Sequence, residues 1–291
     1  LFNNYKLFID QDITIFGWVH FLRKAKKNTI IFIDLYDGTI QKYLPVVIEK
    51  ENENDLNFDK FLDACKIGVS LKLIGNIIEC DDRKQDFEFK SKIYEILGNI
   101  ISDEEYPIQK TNMNKITSLR HIPHLRCRSL VSSSIMTIRS NLLNSIINFM
   151  NENDVKWLDP NIITNSDCEG GGEAFTITTL LNNNSRKLDN IDYETDFFCK
   201  SANLTVSSQL QLEGLACSLG DCFTMNKSFR AEKSKTYKHV AEFTHCEYES
   251  IFIELDDLLN FTEKFLKNSI ENICNQMSDV LNLIYDKNKL I

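Results

Sequence analysis

The 291-residue chain has few of the features that mark metal-binding, membrane or nucleic-acid-binding proteins. Its nine cysteines include no Cys-x-x-Cys pair, which favours reduced thiols in a cytoplasmic protein and argues against a metal site built from them. No apolar run is long enough to cross a bilayer, so the sequence predicts no membrane association. The formal net charge of -9 argues mildly against a nucleic-acid partner, although the basic clusters at 23–27 and 120–128 can still bind phosphate groups.

Glycine and arginine are missing from the last part of the sequence. Gly220 is the last glycine and Arg230 is the last arginine. The one glycine run, at 170–172, is not followed by Gly-Lys-Ser/Thr, which excludes a P-loop. We interpret this run as a hinge that lets a loop close over a substrate.

The most informative segment is Ser228 to Glu249, SFRAEKSKTYKHVAEFTHCEYE. Arg230 has a planar fork of donors that matches a phosphate or a carboxylate. Glu232 lies two residues on, and because side chains alternate across a strand, both are expected to reach into one cavity. Phe243 can stack on a base. An isolated Arg-x-Glu is usually a solvated surface pair, but the order of the whole segment favours binding of a nucleoside triphosphate.

This segment resembles motif 2 of the class II aminoacyl-tRNA synthetases, most closely that of asparaginyl-tRNA synthetases of the eukaryotic cytosolic kind. Three other segments resemble the same family. Ile146–Pro160 is similar to motif 1, the dimer-interface element, and Thr164–Thr179 to the mobile active-site loop. Leu204–Glu213 is similar to the segment that builds the amino-acid pocket. Together these similarities span nearly the whole chain.

The resemblance implies a set of site residues. Arg230 and Glu232 are the expected catalytic residues. The residues expected to bind ATP are Arg230, Glu232, Lys238, His239 and Phe243. Those expected to bind the amino acid are Glu169, Gln209, Arg230 and Glu247, of which Glu169 and Gln209 would accept hydrogen bonds from the ammonium group. Pro160 is expected at the interface of a homodimer.

Two positions favour asparagine over aspartate as the substrate. Related aspartyl enzymes have a lysine three residues after the pocket glutamine, and here that position is Leu212. Glu247 stands where those enzymes have a shorter aspartate, and its carboxylate would accept from an amide and repel a second carboxylate. The resemblance therefore implies an asparagine-tRNA ligase that activates asparagine with ATP and transfers it to tRNA(Asn).

The first hundred residues predict a small β-barrel. Five segments have the composition and length of strands: Ile13 to Val19, Ile30 to Leu35, Leu44 to Ile48, Val69 to Asn76 and Lys92 to Leu97. With a helical insert at Asp59 to Cys65, they suggest an oligonucleotide-binding (OB) fold. Class IIb synthetases carry such a barrel to read the tRNA anticodon.

The resemblance assigns anticodon contacts to three residues of this barrel. Phe32 would stack on a base, Gln41 would hydrogen-bond a base edge, and Arg23 would hold base or backbone. The sequence pattern alone leaves other interpretations open. Phe32 lies in an apolar strand, which favours a core position, and Arg23 with its lysine neighbours is also compatible with a solvated hairpin.

We therefore predict an α+β protein in three parts. Residues 1–101 form the OB-fold barrel, 102–125 form a linker, and 126–291 form the first part of a class II catalytic domain with an antiparallel sheet and motifs 1 and 2. Apolar spacing predicts one long helix around 135–149 and a second from Asp256 to about Tyr285.

The sequence has no counterpart of the family's motif 3, a glycine-rich strand and helix with an ATP-binding arginine, nor of the acids that usually hold Mg²⁺. We expect the chain to be a fragment of a cytoplasmic, homodimeric ligase that uses ATP and Mg²⁺. Three alternatives stay open. They are a non-catalytic synthetase-like paralogue that binds tRNA or amino acid, an aspartate-tRNA ligase, and a binding module whose barrel holds RNA.

Overall fold

The computed structural model describes residues 2–52, 54–80, 85–100, 106–109, 115–166, 168, 170, 172–180, 192–234, 236 and 238–285. The chain divides into two compact units. Unit 1 comprises Leu1–Ser140 and Gln276–Ile291, and unit 2 comprises Asn141–Asn275. Unit 1 therefore includes residues 126–140 and 276–291 in addition to the predicted barrel and linker. The three domains stay a prediction.

Unit 1 contains a closed five-stranded barrel. Its strands are β1 (Ile13–Ala25), β2 (Ile30–Tyr36), β3 (Leu44–Glu49), β4 (Ser70–Glu79) and β5 (Phe87–Gly98), and helix α1 (Leu56–Ala64) follows β3. The order around the barrel is β1-β2-β3-β5-β4. Only the β3–β5 pair is parallel among the paired barrel strands. All five predicted strands and the helical insert are therefore present.

Alternating side chains fill the barrel. Ile31 and Ile33 of β2 are almost fully buried, and they pack in one cluster with Leu71 and Leu73 of β4. Phe58 of α1 belongs to the same cluster. Asp55 caps the start of this helix by accepting from the N–H groups of Asn57 and Phe58. Each such fully buried side chain stabilises the fold by about 1.5–3 kcal/mol.

The predicted linker packs against itself within unit 1. Tyr106 and Ile108 are buried in one cluster with Leu119, which lies in the short helix α2 (Ile116–Leu119). The guanidinium carbon of Arg128 lies 4.6 Å from the centroid of the Trp18 ring, so this residue of the basic cluster has a packing role. Residues 101–105 and 110–114 lie outside the described residues.

Gly75 of β4 allows a close approach to β5 at an irregularity in their pairing. A Cβ atom at this position would lie 2.0 Å from the backbone oxygen of Lys90 and 2.8 Å from Ser91 Cα. These neighbours are backbone atoms and cannot move without disturbing the strand.

We expect Gly75→Ala to lower the free energy of unfolding of the barrel by about 1–3 kcal/mol, the cost of overpacking. Gly214→Ala is the matched control, because that helical glycine has no heavy atom within 4 Å of a built Cβ. The control should stabilise unit 2 by about 0.5–1 kcal/mol. Thermal unfolding with hydrogen exchange resolved to β4, β5 and residues 209–219 measures both variants. Unchanged protection of β4 and β5 in Gly75→Ala would contradict the steric argument.

Unit 2 is a mixed α and β unit with two small sheets. The first has the order β11-β10-β6 and the second the order β7-β9-β8. The strands are β6 (Lys156–Trp157), β7 (Ile163–Thr164), β8 (Thr176–Ile177), β9 (Ala202–Leu204), β10 (Cys222–Phe229) and β11 (Glu242–Glu249). β10 and β11 form an antiparallel hairpin, whereas β6 pairs with β10 in parallel.

Four further α-helices follow the barrel and the predicted linker. They are α3 (Leu130–Glu152), α4 (Gln209–Leu219), α5 (Leu255–Gln276) and α6 (Ser278–Tyr285). α3 confirms the first predicted helix. The second is interrupted at Met277, and Ser278 followed by Asp279 is typical of a new helix start. Among the described residues no helix is both long and apolar enough to span a bilayer.

The core of unit 2 covers one face of the hairpin. Phe149 and Met150 of α3 pack with Phe223 of β10. Tyr248 of β11 stacks on Phe261 of α5 at a centroid distance of 4.5 Å. Because α3 and α5 bury this face, the opposite face of the hairpin is the one left to form a site.

Candidate functional site

The hairpin face opposite the core is lined with polar side chains. Directly paired residues of antiparallel strands point to the same side, and the register pairs Thr224 with Glu247, Asn226 with His245 and Ser228 with Phe243. We call this set the polar face; it consists of Thr224, Asn226, Ser228, Phe243, His245 and Glu247. Thr224 and Ser228 are almost fully buried although they are polar, which is unusual unless such groups find hydrogen-bond partners.

Arg230 continues the alternation of β10 at one end of the polar face. Its N–H donates to the carbonyl of Ala241 at 3.0 Å. Its guanidinium carbon lies 5.5 Å from the centroid of the Phe243 ring, a cation–π distance. The Nε atom is buried and has no hydrogen-bond partner in the part of the chain that the structure describes. Arg230 is thus fixed by its backbone and ring contact and retains a donor.

Gly172 lies directly against Arg230 and Glu232. A Cβ atom on Gly172 would lie 3.0 Å from Glu232 Oε1 and 3.2 Å from Arg230 Cδ, and its φ of +153° favours glycine. The N–H of Ala231 also donates to the carbonyl of Glu173 at 2.6 Å. The structure therefore brings the glycine-containing loop together with Arg230 and Glu232. Glu169 and Gly171 lie outside the described residues.

The segment between β10 and β11 carries two further predicted nucleotide ligands. Lys238 and His239 are both exposed. His239 Nδ1 shares a hydrogen bond with Thr236 Oγ1. Both side chains are therefore reachable from solvent.

Glu247 lies at the other end of the polar face in a hydrogen-bond network. Its side chain is only 9% exposed. Oε1 accepts from Ser207 Oγ and from the N–H of Ser208 at 3.0 Å, and this N–H is also 3.1 Å from Oε2. His245 Nδ1 lies 3.4 Å from Oε1 and 3.1 Å from Ser228 Oγ. Glu247 therefore has a fixed orientation.

Sequence reasoning missed Ser207, Ser208 and His245 as members of this network. His245 shares a strand face with Glu247, so strand alternation could have indicated it. The serines directly precede Gln209 in the segment that resembles the amino-acid pocket, but their contact joins residues that are 39 and 40 positions apart. No local pattern shows such a contact.

Two buried hydroxyls beside Glu247 have unused hydrogen-bonding capacity. Ser208 Oγ and Thr224 Oγ1 have no partner among the residues that the structure describes. Thr224 is paired with Glu247 in the hairpin register, and the N–H of Ser208 donates to Glu247. Unsatisfied polar groups are rare in a protein interior, so these two hydroxyls are candidates for contact with a polar ligand or with water.

Gln209, the first residue of α4, is held from three sides. Its N–H donates to Ser207 Oγ at 3.1 Å. Its side-chain Oε1 accepts from Cys168 Sγ at 3.6 Å, and its Nε2 donates to Glu213 Oε1 at 2.9 Å. Cys168 directly precedes Glu169 in the sequence.

The electrostatics around Gln209 are dominated by carboxylates. Burial raises the pKa of Glu249, and the charges of Glu213 and Glu247 raise it further. Burial, followed by the charge of Glu247, also raises the pKa of Cys246 to about 11. Within the described ranges, no group of three or more His, Cys, Asp or Glu side chains has a metal-binding arrangement. The carboxylates thus favour a cationic ligand group over a second anion.

Leu212, the third residue after Gln209, belongs to an apolar cluster in unit 2. It is 0% exposed and packs with Ala216 and Cys222. Its side chain is apolar, so this position provides no positive charge.

Arg23 and Phe32 lie together on the outside of the barrel. They are directly paired between β1 and β2, and the Arg23 guanidinium carbon is 4.9 Å from the centroid of the Phe32 ring. Phe32 is half-buried between the buried Ile31 and Ile33, so the core position favoured by its apolar strand is wrong. Both residues line a cavity of about 500 Å³.

Gln41 and Pro160 are less accessible than their predicted roles suggest. Gln41 is 7% exposed, and its Nε2 donates to Thr137 Oγ1 at 2.8 Å. Pro160 is buried, and its carbonyl accepts from Asn226 Nδ2 at 2.8 Å. Their roles in base recognition and dimerisation stay predictions.

The mixed α and β fold, the polar face and the adjacent glycine-containing loop agree with a family assignment. The family model for tRNA synthetases class II (D, K and N) matches residues 114–289. This match covers more than half of the chain, and the chain therefore belongs to that family.

Asparagine enzymes are among the proteins to which the chain is similar. The chain is 39% identical to the asparagine-tRNA ligase of Clostridium kluyveri over 277 residues, which cover 94% of this chain and 58% of that relative. It superposes on the asparaginyl-tRNA synthetase of Entamoeba histolytica in complex with asparaginyl-adenylate with a TM-score of 0.76 and 26% identity, covering 94% of this chain and 57% of that one.

A second solved structure supports the fold. The asparaginyl-tRNA synthetase of Pyrococcus horikoshii, complexed with asparaginyl-adenylate, gives a TM-score of 0.80 at 22% identity, covering 95% of this chain and 58% of that one. The chain thus spans less than two thirds of the length of these relatives. The eukaryotic cytosolic subtype stays a prediction.

Proposed function

We propose that the complete protein is an asparagine-tRNA ligase, to which this chain contributes an anticodon-binding barrel and the part of the catalytic domain with motifs 1 and 2. The observation that carries the proposal is the polar face, which has Arg230 over Phe243 at one end and the anchored Glu247 at the other. At about 3.3 Å per residue, Phe243 and Glu247 lie roughly 13 Å apart along β11. This face can hold a nucleotide and an amino acid side by side.

The proposed first step is adenylation. The asparagine carboxylate attacks the α-phosphorus of ATP, a new oxygen–phosphorus bond forms, and pyrophosphate leaves. Arg230 binds the α-phosphate and the carboxylate and stabilises the negative charge that develops between them. Phe243 supports the adenine, and Glu232, Lys238 and His239 hold the nucleotide. In the second step a hydroxyl of the terminal adenosine of tRNA(Asn) attacks the activated carbonyl carbon, an ester bond forms, and AMP leaves.

Positioning carries most of this chemistry, and no covalent nucleophile of the protein is required. The complete enzyme is proposed to use Mg²⁺ with ATP. The described residues offer no cluster of acids for the ion, so we assign it no step here.

The proposed amino-acid selection depends on Glu247. Its Oε1 already accepts from Ser207 and Ser208, which leaves Oε2 with the greater remaining capacity. That oxygen can accept from the side-chain amide of asparagine, whereas a second carboxylate would be repelled. Gln209 and Glu169 accept from the substrate ammonium. Aspartate is disfavoured further because the buried Leu212 provides no positive charge.

We also propose that the barrel is an OB-fold that binds the anticodon of tRNA(Asn). The support is the pair of Arg23 and Phe32 on its outer surface, where an aromatic ring can stack on a base. Gln41 would have to exchange its bond with Thr137 for one with a base edge.

Phe32→Ala should weaken tRNA(Asn) binding about 5- to 150-fold, because base stacking on an aromatic side chain contributes about 1–3 kcal/mol. Amino-acid-dependent pyrophosphate exchange should stay unchanged. Phe16→Ala is the matched control, because Phe16 is a 54% exposed phenylalanine of the same barrel that lines a different cavity. Filter binding measures both variants, and equal tRNA affinity in Phe32→Ala would remove the anticodon role.

The remaining proposals concern assembly and compartment. A homodimer through 146–160 is supported by Trp157, which is 53% exposed next to the buried Pro160. A reducing, cytoplasmic environment is supported by the nine cysteines, all of which lie in the described part of the chain and none of which forms a disulfide bond.

The whole proposal is tested by aminoacylation of tRNA(Asn) with labelled asparagine or aspartate, using the complete product of the gene. Charging with asparagine alone is the expected result. Charging with aspartate alone, or binding of tRNA without any charging, would overturn it.

A further inference from the structure

We propose that Glu213 is a positioning residue that sets the orientation of the Gln209 side-chain amide, and thereby makes Gln209 Oε1 an acceptor for the substrate ammonium group. The proposal rests on the amino-acid site proposed above. It adds a residue, one helical turn beyond Gln209, whose own side chain need not touch the substrate.

The hydrogen bond between the two side chains fixes which end of the amide faces Glu213. Glu213 Oε1 accepts from Gln209 Nε2 at 2.9 Å. A carboxylate oxygen can only accept, whereas an amide has a donating and an accepting end. The NH₂ group must therefore face Glu213, and the carbonyl oxygen must face away from it.

Cys168 supports the same orientation from the opposite side. Its thiol donates to Gln209 Oε1 at 3.6 Å, and Cys168 is buried. A thiol is a weak donor and a weak acceptor, so this contact alone cannot select one orientation of the amide. The selection therefore falls to Glu213.

The backbone at this point is also fixed, since Gln209 N–H donates to Ser207 Oγ, and Ser207 Oγ donates to Glu247. The side-chain amide of Gln209 can still rotate about its terminal C–C bond, which exchanges the positions of Oε1 and Nε2. A rotated amide would direct its NH₂ group at the substrate ammonium, and two donors that face each other repel.

The test is asparagine-dependent pyrophosphate exchange by the complete product of the gene. Glu213→Gln should raise the KM for asparagine about 10-fold, within the range for losing a hydrogen bond to a charged group, because glutamine can face either end of Gln209. The KM for ATP should change less than twofold. Folding should be unaffected, since glutamine and glutamate have nearly equal helix propensities. Ser218→Ala, at an exposed position of α4, is the control and should leave both constants unchanged.

A double-mutant cycle separates orientation from a merely structural role. In a Gln209→Glu background both oxygens of residue 209 accept, so its orientation no longer matters, and Glu213→Gln also removes a like-charge repulsion. Glu213→Gln should therefore lower the KM for asparagine in that background, the opposite of its effect on the unsubstituted protein.

The outcomes distinguish this proposal from the proposed function. Suppose that the unsubstituted protein is active with asparagine. If Glu213→Gln then leaves the KM for asparagine unchanged, or raises it in both backgrounds, the role of Glu213 is wrong and the ligase function is unaffected. Unsubstituted protein without asparagine-dependent exchange overturns both.

Discussion

Arg230→Ala is expected to reduce asparagine-dependent pyrophosphate exchange by about 10³-fold, the upper range for losing one preorganised donor to a developing negative charge. The physical reason is that Arg230 is placed by its backbone bond to Ala241 and by the ring of Phe243, and its buried Nε has no partner within the described part of the chain. Binding of tRNA through the barrel should be unaffected. The measurement is the exchange rate at saturating asparagine and ATP.

Arg230→Lys and Lys227→Ala complete the experiment. Lysine keeps the charge but loses the bidentate fork, so Arg230→Lys should fall between the unsubstituted protein and Arg230→Ala. Lys227 is half-buried and paired with Glu242 at 3.0 Å, and its removal should leave exchange unchanged. If Arg230→Ala exchanged pyrophosphate as fast as the unsubstituted protein, the assigned role of Arg230 would be wrong.

Glu247→Gln should reduce the preference for asparagine over aspartate by about 10- to 100-fold, which corresponds to the loss of a charge-assisted hydrogen bond. The substitution keeps the size of the side chain, but it replaces one acceptor by a donor and removes the charge that repels aspartate. The expected change is a higher KM for asparagine and a lower KM for aspartate, measured side by side by pyrophosphate exchange.

Glu242→Gln is the matched control for Glu247→Gln. Glu242 is an exposed acid of the same strand and pairs with Lys227, outside the polar face. It should retain the full preference for asparagine. An unchanged asparagine preference in Glu247→Gln would show that selection lies elsewhere.

The hairpin illustrates what the sequence could predict. Strand alternation predicts that Arg230 and Glu232 lie together, but β10 ends at Phe229, before either residue. The two side chains are nonetheless neighbours, since a Cβ atom built on Gly172 would lie 3.0 Å from Glu232 Oε1 and 3.2 Å from Arg230 Cδ. The resemblance to motif 2 indicated which reaction these residues are expected to serve. Strand alternation does not reveal the contact of Glu247 with Ser207 and Ser208, since tertiary packing determines it. The Glu213 bond to Gln209 joins residues four apart on α4, so helix periodicity could have indicated it.

The barrel shows a different reason for error. β2 reads IIFIDLY, in which Asp34 shares a face with Phe32. This single polar residue is the only sign in the pattern that the Phe32 side faces outward. Closure of the barrel decides which side faces inward, with Ile31 and Ile33 inside and Phe32 outside. The resemblance implies that Gln41 hydrogen-bonds a base edge, and this role stays a prediction. The bond of Gln41 with Thr137 joins residues 96 positions apart, a separation that no sequence window covers.

The measurement that tests the central claim most directly is exchange of pyrophosphate into ATP by the complete product of the gene, with asparagine and aspartate in parallel reactions. The account predicts exchange that depends on asparagine, with aspartate at background. Exchange with aspartate alone would contradict the assigned specificity of Glu247, and exchange with neither amino acid would contradict the ligase function itself.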